Sequence, residues 1–317
     1  LQSYDQAIQL KPDYPEAISN RGIVLERLKL FDEALQSYDH AIQLKPDYAE
    51  AYFNKSIIKL RLGEYEEGWQ LYEYRQVQKD TKNNYKKFVA RPWLGNESIE
   101  NKIILILNEQ GLGDSIQFCR YLLMLVSLNP KEIIFMVQKP LLSLFSNFHK
   151  KITILDQGKS LPHFNYYSPL MSLPLAFKTR VKTIPSNIPY LKSDDIKNKY
   201  WQSRFSKQMK IKIGLVWSGS TIHKKDQNRS LMLNQLTSLL ELPFEFHSLQ
   251  KEIRNVDQKN IKNYKTLYQH QNDLNDFSDT AALLNQMNLI ISVDTAVAHL
   301  AGTLGKKVWV LLPFIPD

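Results

Sequence analysis

Residues 1–14 read LQSYDQAIQLKPDY, and residues 35–48 read LQSYDHAIQLKPDY. A copy this close, one period of thirty-four residues later, is expected of a repeat array, whose units bury a shared core only by stacking. Apolar residues at helical spacing predict amphipathic helices over 16–28 and 32–44 in one unit and over 50–62 and 64–74 in the next, with Pro12 and Pro46 closing the helix before them. Small residues at the crossings (Ala7, Ala17, Ala34, Ala41, Ala51) and rings between them (Tyr4, Phe31, Tyr38, Tyr48, Tyr65) read as core packing. About two units are fewer than the roughly three that stand alone, so further repeats or docking onto the next domain is expected to support them. Gly68-Trp69, standing where Ala34-Leu35 stood, marks the second unit as a terminal, adapter-like one.

The repeat length is that of tetratricopeptide repeats, a protein-binding architecture, and it accounts for residues 1–75. The 317 residues leave length for further cores. At 43% hydrophobic and 11% aromatic the composition is globular, and no apolar run approaches the roughly 18 to 20 residues that cross a bilayer. A single cysteine, Cys119, excludes an internal disulfide framework and points to a reducing, cytoplasmic setting. The net charge of +9 is spread among acidic neighbours without an aromatic-interleaved basic stripe, which argues against nucleic acid and for phosphorylated or acidic small molecules. A repeat that opens mid-unit at Leu1, and a last strand followed only by residues 313–317, lead to the expectation of a segment cut at both ends, its final domain incomplete.

Residues 76–100 are polar and read as a linker docked by Trp93. Strands over 103–107, 132–137 and 152–155 then alternate with helices over 114–128 and 140–148, the mark of a parallel sheet, giving a domain over 101–193 whose part 161–189 reads as irregular. A polar helix over 194–209 leads into a second alternation over 210–317. There, strands fall at 212–217, 244–249, 289–293 and 307–312, with helices at 233–240, 252–258, 279–286 and 295–304. The expected fold class is therefore helical repeats followed by a pair of doubly wound parallel-sheet domains. Ligands of such sheets sit at the carboxyl ends of the strands, so the loops after Leu107, Trp217 and Val293 should line one cleft.

The first loop carries Gln110, Gly111, Gly113 and Asp114: the glycines permit a tight turn and close ligand approach, and Asp114 serves as an N-cap or as a general base for a hydroxyl. The second, Trp217-Ser218-Gly219 followed by Lys224 and Arg229, suits a phosphate cradled by backbone and cationic donors, or a merely solvated basic loop. In the third, Asp294 ends a strand and Thr295-Ala296 opens a helix whose positive end suits a pyrophosphate; His299 lies one turn along on the face of Thr295. Asp279-Thr280-Ala281 lines the same crevice or only caps a helix. No D-x-D, P-loop, G-x-S-x-G or Cys/His metal spacing is present, so no metal or cofactor is expected.

The Gly111-Leu112-Gly113-Asp114 loop, the Trp217-Ser218-Gly219 loop and the run from Asp294 through His299 to Gly305 resemble the heptosyltransferase-like glycosyltransferases of family 9, in versions fused behind tetratricopeptide repeats. The resemblance covers about residues 100 to 317. It implies a GT-B fold and metal-independent, inverting transfer from a nucleotide-sugar donor held mainly by the second parallel-sheet domain. By the same resemblance Asp114 matches the acceptor-activating base, Asp294, Thr295 and His299 the donor motif, and Lys224 or Arg229 the cation on the diphosphate. The sequence departs from the family pattern at Ala296, where glycine is usual. The implied partners are a nucleotide sugar, a protein or glycan acceptor, and a protein bound by the repeats. The alternative is a catalytically inactive repeat scaffold with a vestigial nucleotide site.

Overall fold

The computed structural model describes residues 1–77, 88, 90–205, 210–223 and 226–314. The copied stretch folds as α1 (Gln2–Leu10), α2 (Pro15–Arg27), α3 (Phe31–Leu44), α4 (Ala49–Arg61) and α5 (Tyr65–Tyr72). Pro15 sits in the first turn of α2, where its missing N–H goes unneeded. One apolar cluster joins Leu25, Ala34, Tyr38 and Ile58, and a second joins Ile18, Ala41 and Ala51. Of the residues read as crossings and rings, Ala34, Tyr38, Ala41 and Ala51 lie in these clusters, Phe31 and Tyr48 pack against them and Ala17 is buried, whereas Tyr4, Ala7 and Tyr65 are only half-buried.

The duplication is visible in polar contacts as well. Arg21 pairs with Asp5 at 2.7 Å, and thirty-four residues on Lys55 pairs with Asp39 at 2.8 Å. Lys11 lies over the Tyr14 ring as Lys45 lies over Tyr48.

The helix expected over 64–74 ends early, α5 tightening into a 3-10 turn over Glu73–Gln76. Arg75 lies in this turn, and its buried guanidinium donates to the Tyr72 carbonyl at 3.2 Å, to Glu73 Oε1 at 2.6 Å and to Ser172 Oγ at 2.7 Å. Ser172 belongs to a segment far along the chain. Leu1–Ser98 together with Ser172–Pro185 form one compact unit, and Ile99–Met171 with Ser186–Asp317 form the other. In the first unit a two-residue strand, β1 (Arg91–Pro92), precedes Trp93, which is buried, donates Nε1–H to the Glu97 carbonyl at 2.8 Å and meets Phe177 edge-on just beyond α9 (Leu173–Ala176). Part of the expected linker, 78–87 and 89, lies outside the described residues.

In the second unit, β2 (Ile103–Leu107), β3 (Glu132–Val137), β4 (Ile152–Asp156) and β5 (Tyr166–Pro169) pair in parallel in the order β5-β2-β3-β4. β5 corrects the reading of 161–189 as irregular: Ile104 registers on Tyr166 and Leu107 on Pro169, a short strand ending in proline that carries little pattern of its own. The helix expected over 114–128 is two, α6 (Leu112–Phe118) and α7 (Arg120–Ser127), and that over 140–148 shrinks to a 3-10 turn and α8 (Leu142–Phe145). α10 (Asp195–Arg204) carries the chain onward, Asp194 capping it by accepting from Lys197 N at 2.9 Å; residues 206–209 lie outside the described ones.

The second sheet is parallel in the order β10-β9-β6-β7-β8, from β6 (Lys212–Val216), β7 (Glu245–Ser248), β8 (Leu267–Tyr268), β9 (Leu289–Val293) and β10 (Val308–Leu311). β8, two residues long, was not foreseen. Between the strands lie α11 (Asp226–Arg229), α12 (Thr237–Leu240), α13 (Asn255–Gln258), α14 (Phe277–Asn285) and α15 (Ala296–Thr303). The helix expected over 233–240 begins as a 3-10 turn, Leu233–Leu236, before α12. Strand interiors are apolar on both faces, as sheets covered by helices require.

Candidate functional site

The first loop leaves β2 at Leu107 and is tied on both sides. Gln138, at the end of β3, accepts from Ser115 Oγ at 3.0 Å and donates to the Gln110 carbonyl at 3.3 Å, while Glu109 accepts from Met171 N at 3.2 Å, just past β5. Gln110 is held at a φ of 39°, a left-handed conformation that side chains rarely adopt. Asp114 is not the N-cap: Gly111 is, and Asp114, in the first turn of α6, reaches back so that Oδ2 accepts from Gly111 N at 2.8 Å.

The third loop meets this one. A Cβ built on Gly113 would lie 2.9 Å from His299 Cδ2 and 3.4 Å from Ala296 Cα, so only a glycine lets α6 approach α15 this closely. Thr295 caps α15 without a side-chain bond to its amides, and its hydroxyl lies 3.3 Å from Ser292 Oγ. His299 Nε2 is 4.0 Å from Asp294 Oδ1. Burial pushes the His299 imidazole below its ordinary value, against the pull of the Asp294 and Asp114 carboxylates and with help from Arg120. The neutral ring is favoured at neutral pH. Asp114, Gly113, Asp294, Thr295, Ala296 and His299 are thereby gathered at the carboxyl ends of β2 and β9.

The second loop is built differently from its expectation. Trp217 N and Ser218 N both donate to Gln250 Oε1, at 2.8 and 2.9 Å, and Gly219 N donates to Ser230 Oγ at 2.9 Å. The backbone donors read as a phosphate cradle are thus taken by the protein itself. The Trp217 ring is buried in the core, Nε1 donating to Asp257 Oδ2 at 2.9 Å, and Ser218 Oγ accepts from Gln250 Nε2 at 3.0 Å. Arg229 donates through Nη1 to the Asp294 main-chain oxygen at 2.8 Å. Lys224 lies outside the described residues.

Gln250, Asp226, Ser230, Arg254 and Asp257 were missed. Gln250 follows β7, the neighbour of β6, so the strand-end rule that selected the other loops also reaches it. Asp276, not Asp279, is the N-cap of α14; Asp279, in its first turn, reaches back so that Oδ2 accepts from Asn275 N at 2.9 Å, and Lys197 pairs with Oδ1 at 2.8 Å. Among the described residues no cluster of three or more His, Cys, Asp or Glu is placed to hold a metal ion, and no helix is long and apolar enough to cross a membrane.

Residues 15–48 match the tetratricopeptide repeat family. These residues are a tetratricopeptide repeat. Protein FlbA of Caulobacter vibrioides is 23% identical over 244 residues, 69% of this chain and 40% of FlbA, so the alignment spans two fifths of that relative's length. A glycosyltransferase of family 9 from Veillonella parvula superimposes with a TM-score of 0.52 at 13% identity, over 69% of this chain and 83% of that one. The heptosyltransferase WaaC of E. coli, solved with ADP-2-deoxy-2-fluoro heptose, gives a TM-score of 0.45 at 11% identity over 68% of this chain and 90% of its own. The Veillonella parvula likeness is one of fold: tetratricopeptide repeats are followed here by the paired parallel sheets of GT-B glycosyltransferases.

Proposed function

We propose that the protein is a glycosyltransferase, moving a sugar from a nucleotide-diphosphate donor to an acceptor hydroxyl without a metal and with inversion, while the repeats bind the acceptor or a partner protein. The observation that carries this reading is the meeting of the Asp114 loop with the Asp294–His299 motif at Gly113. Asp114 takes the proton of the acceptor hydroxyl as its oxygen attacks the anomeric carbon. The bond from that carbon to the diphosphate breaks in the same displacement, and the charge left on the leaving oxygen is met by the amino end of α15. The fold supports the class, since such sheets take ligands at these strand ends.

Asp114→Asn is expected to lower turnover about 10²- to 10⁴-fold while nucleotide affinity stays within a few-fold, measured as diphosphate release from a nucleotide-sugar panel alongside calorimetric binding. Full turnover in this variant would leave Asp114 a capping residue and place the base elsewhere. The capping-box bond favours one rival reading, a repeat scaffold in which Asp114 only fixes α6. Thermal shift with UDP, ADP and GDP separates the two: no shift with any of them supports the scaffold.

A further inference from the structure

Arg229 reads from the sequence as a cation for a diphosphate, but its surroundings suit another task. The short turn α11 sets Asp226 and Arg229 three residues apart on one side, Arg229 Nε lying 3.6 Å from Asp226 Oδ1, an ion pair rather than a hydrogen bond. Asp226 is itself fixed: Oδ1 accepts from Ser230 Oγ at 2.8 Å and Oδ2 from Arg254 Nη2. Arg254 Nη2 also donates to Ser230 Oγ at 2.9 Å and to the Gly219 carbonyl at 3.2 Å. A Cβ at Gly219 would stand 2.7 Å from Asp226 Oδ1 and 2.8 Å from Arg229 Nη2, so the loop backbone closes over the pair. Both carboxylate oxygens are thereby fixed by Ser230 and Arg254, and the Arg229 guanidinium ion-paired to Oδ1 points Nη1 at the Asp294 carbonyl, 2.8 Å away.

We infer that Arg229 is a positioning residue, a brace ion-paired to an Asp226 that Arg254 and Ser230 fix in place, which holds the Asp294 peptide and with it the Asp294 carboxylate beside His299. Its value to catalysis rests on the function proposed above; the brace itself rests on the hydrogen bonds. Arg229 has 17% of its side chain exposed, and a guanidinium so enclosed, with Nη1 on a main-chain oxygen, is placed to orient rather than to follow a ligand.

The test reads His299, which faces Asp294, Asp114 and Arg120, and needs no turnover. In protein carrying ¹³C-labelled histidine, with the His299 signal assigned by His299→Gln, the imidazole is titrated in Arg229→Gln and Arg229→Lys. Removing a cation alone raises the midpoint of a nearby histidine; losing the held Asp294 carboxylate lowers it. The brace predicts a fall of about half a pH unit in Arg229→Gln and a similar fall in Arg229→Lys, which keeps the charge but not the planar fork. It also predicts no further change when Arg229→Gln is added to Asp294→Asn. A rise or no change in the single variants, or an additive effect in the double one, overturns it. Should Arg229→Gln fail to fold, Arg229→Lys carries the same decision. An inactive protein leaves this result standing, whereas failure of the proposed transfer is read separately from Asp114→Asn.

Discussion

At the scale of single residues, the two repeats pose the same backbone problem and solve it unequally. Lys29 and Gly63 occupy equivalent turns, thirty-four residues apart, with φ of 62° and 81°. Glycine adopts this conformation freely, while a side chain there costs about 1 to 2 kcal/mol, part of which glycine gives back as unfolded-chain entropy. Lys29→Gly is therefore expected to stabilise the protein by up to about 1 kcal/mol, seen as a higher urea midpoint at unchanged slope; a lower midpoint would mean that Lys29 makes a contact worth more than the strain. The candidate site was legible at this scale wherever residue type and strand end coincide, as at Asp294, Thr295 and Gly113. It was not legible where a distant side chain takes up a backbone donor. Nothing around Trp217 announces Gln250, because that bond spans thirty-three residues and leaves no local pattern.

Among elements, α10 offers a pH dependence. The rings of Trp201, near its end, and Phe205, just beyond it, meet His270 and His247 edge-on, and His247 Nδ1 lies 3.0 Å from His270 Nε2. Glu245, Lys212, Arg204 and Asp273 are the charged groups around the pair. Burial holds His247 down to about 3, with His270 and Lys212 adding to it, and holds His270 down to about 4, with Arg204 adding and Asp273 opposing. Both rings are thus neutral in the folded protein, whereas in the unfolded chain they take protons near pH 6.5. Stability is full above that pH and is lost as pH falls from about 6.5 toward 4, on the order of 2 kcal/mol for each ring at pH 5. Urea unfolding at pH 7, 6 and 5 should show this loss, and a His247→Asn/His270→Asn double variant should flatten it; an unchanged slope would place the acid sensitivity elsewhere. Elements with strong periodicity, such as β2, β3 and β9, were read to the residue. β5 and β8 were not, since two to four residues ending in proline or loop carry no countable alternation and are strands only by virtue of their neighbours.

Over the whole molecule, the array and the two parallel sheets were plain from a copied stretch and an alternation of patterns, but the return of residues 172–185 to the repeats was not, because it depends on which surfaces meet after folding. Ser172 closes a network with Arg75, Glu73 and Gln76, its hydroxyl donating to Glu73 Oε2 at 2.9 Å. Arg75→Met is expected to cost about 3 kcal/mol, by leaving a half-buried Glu73 carboxylate without its cation and with only Ser172 and Gln76 as donors among the described residues, and adding Glu73→Gln to recover part of it; calorimetric unfolding of the two variants checks this, and equal melting of Arg75→Met and the parent protein would mean that the network adds nothing. Because the unit draws on two stretches of chain separated by residues 99–171, it cannot be transplanted as a contiguous cassette. A graft of residues 1–98 onto another protein would carry Arg75 and Trp93 without Ser172 and Phe177, so a working transplant has to bring residues 172–185 along by a linker or a circular permutation.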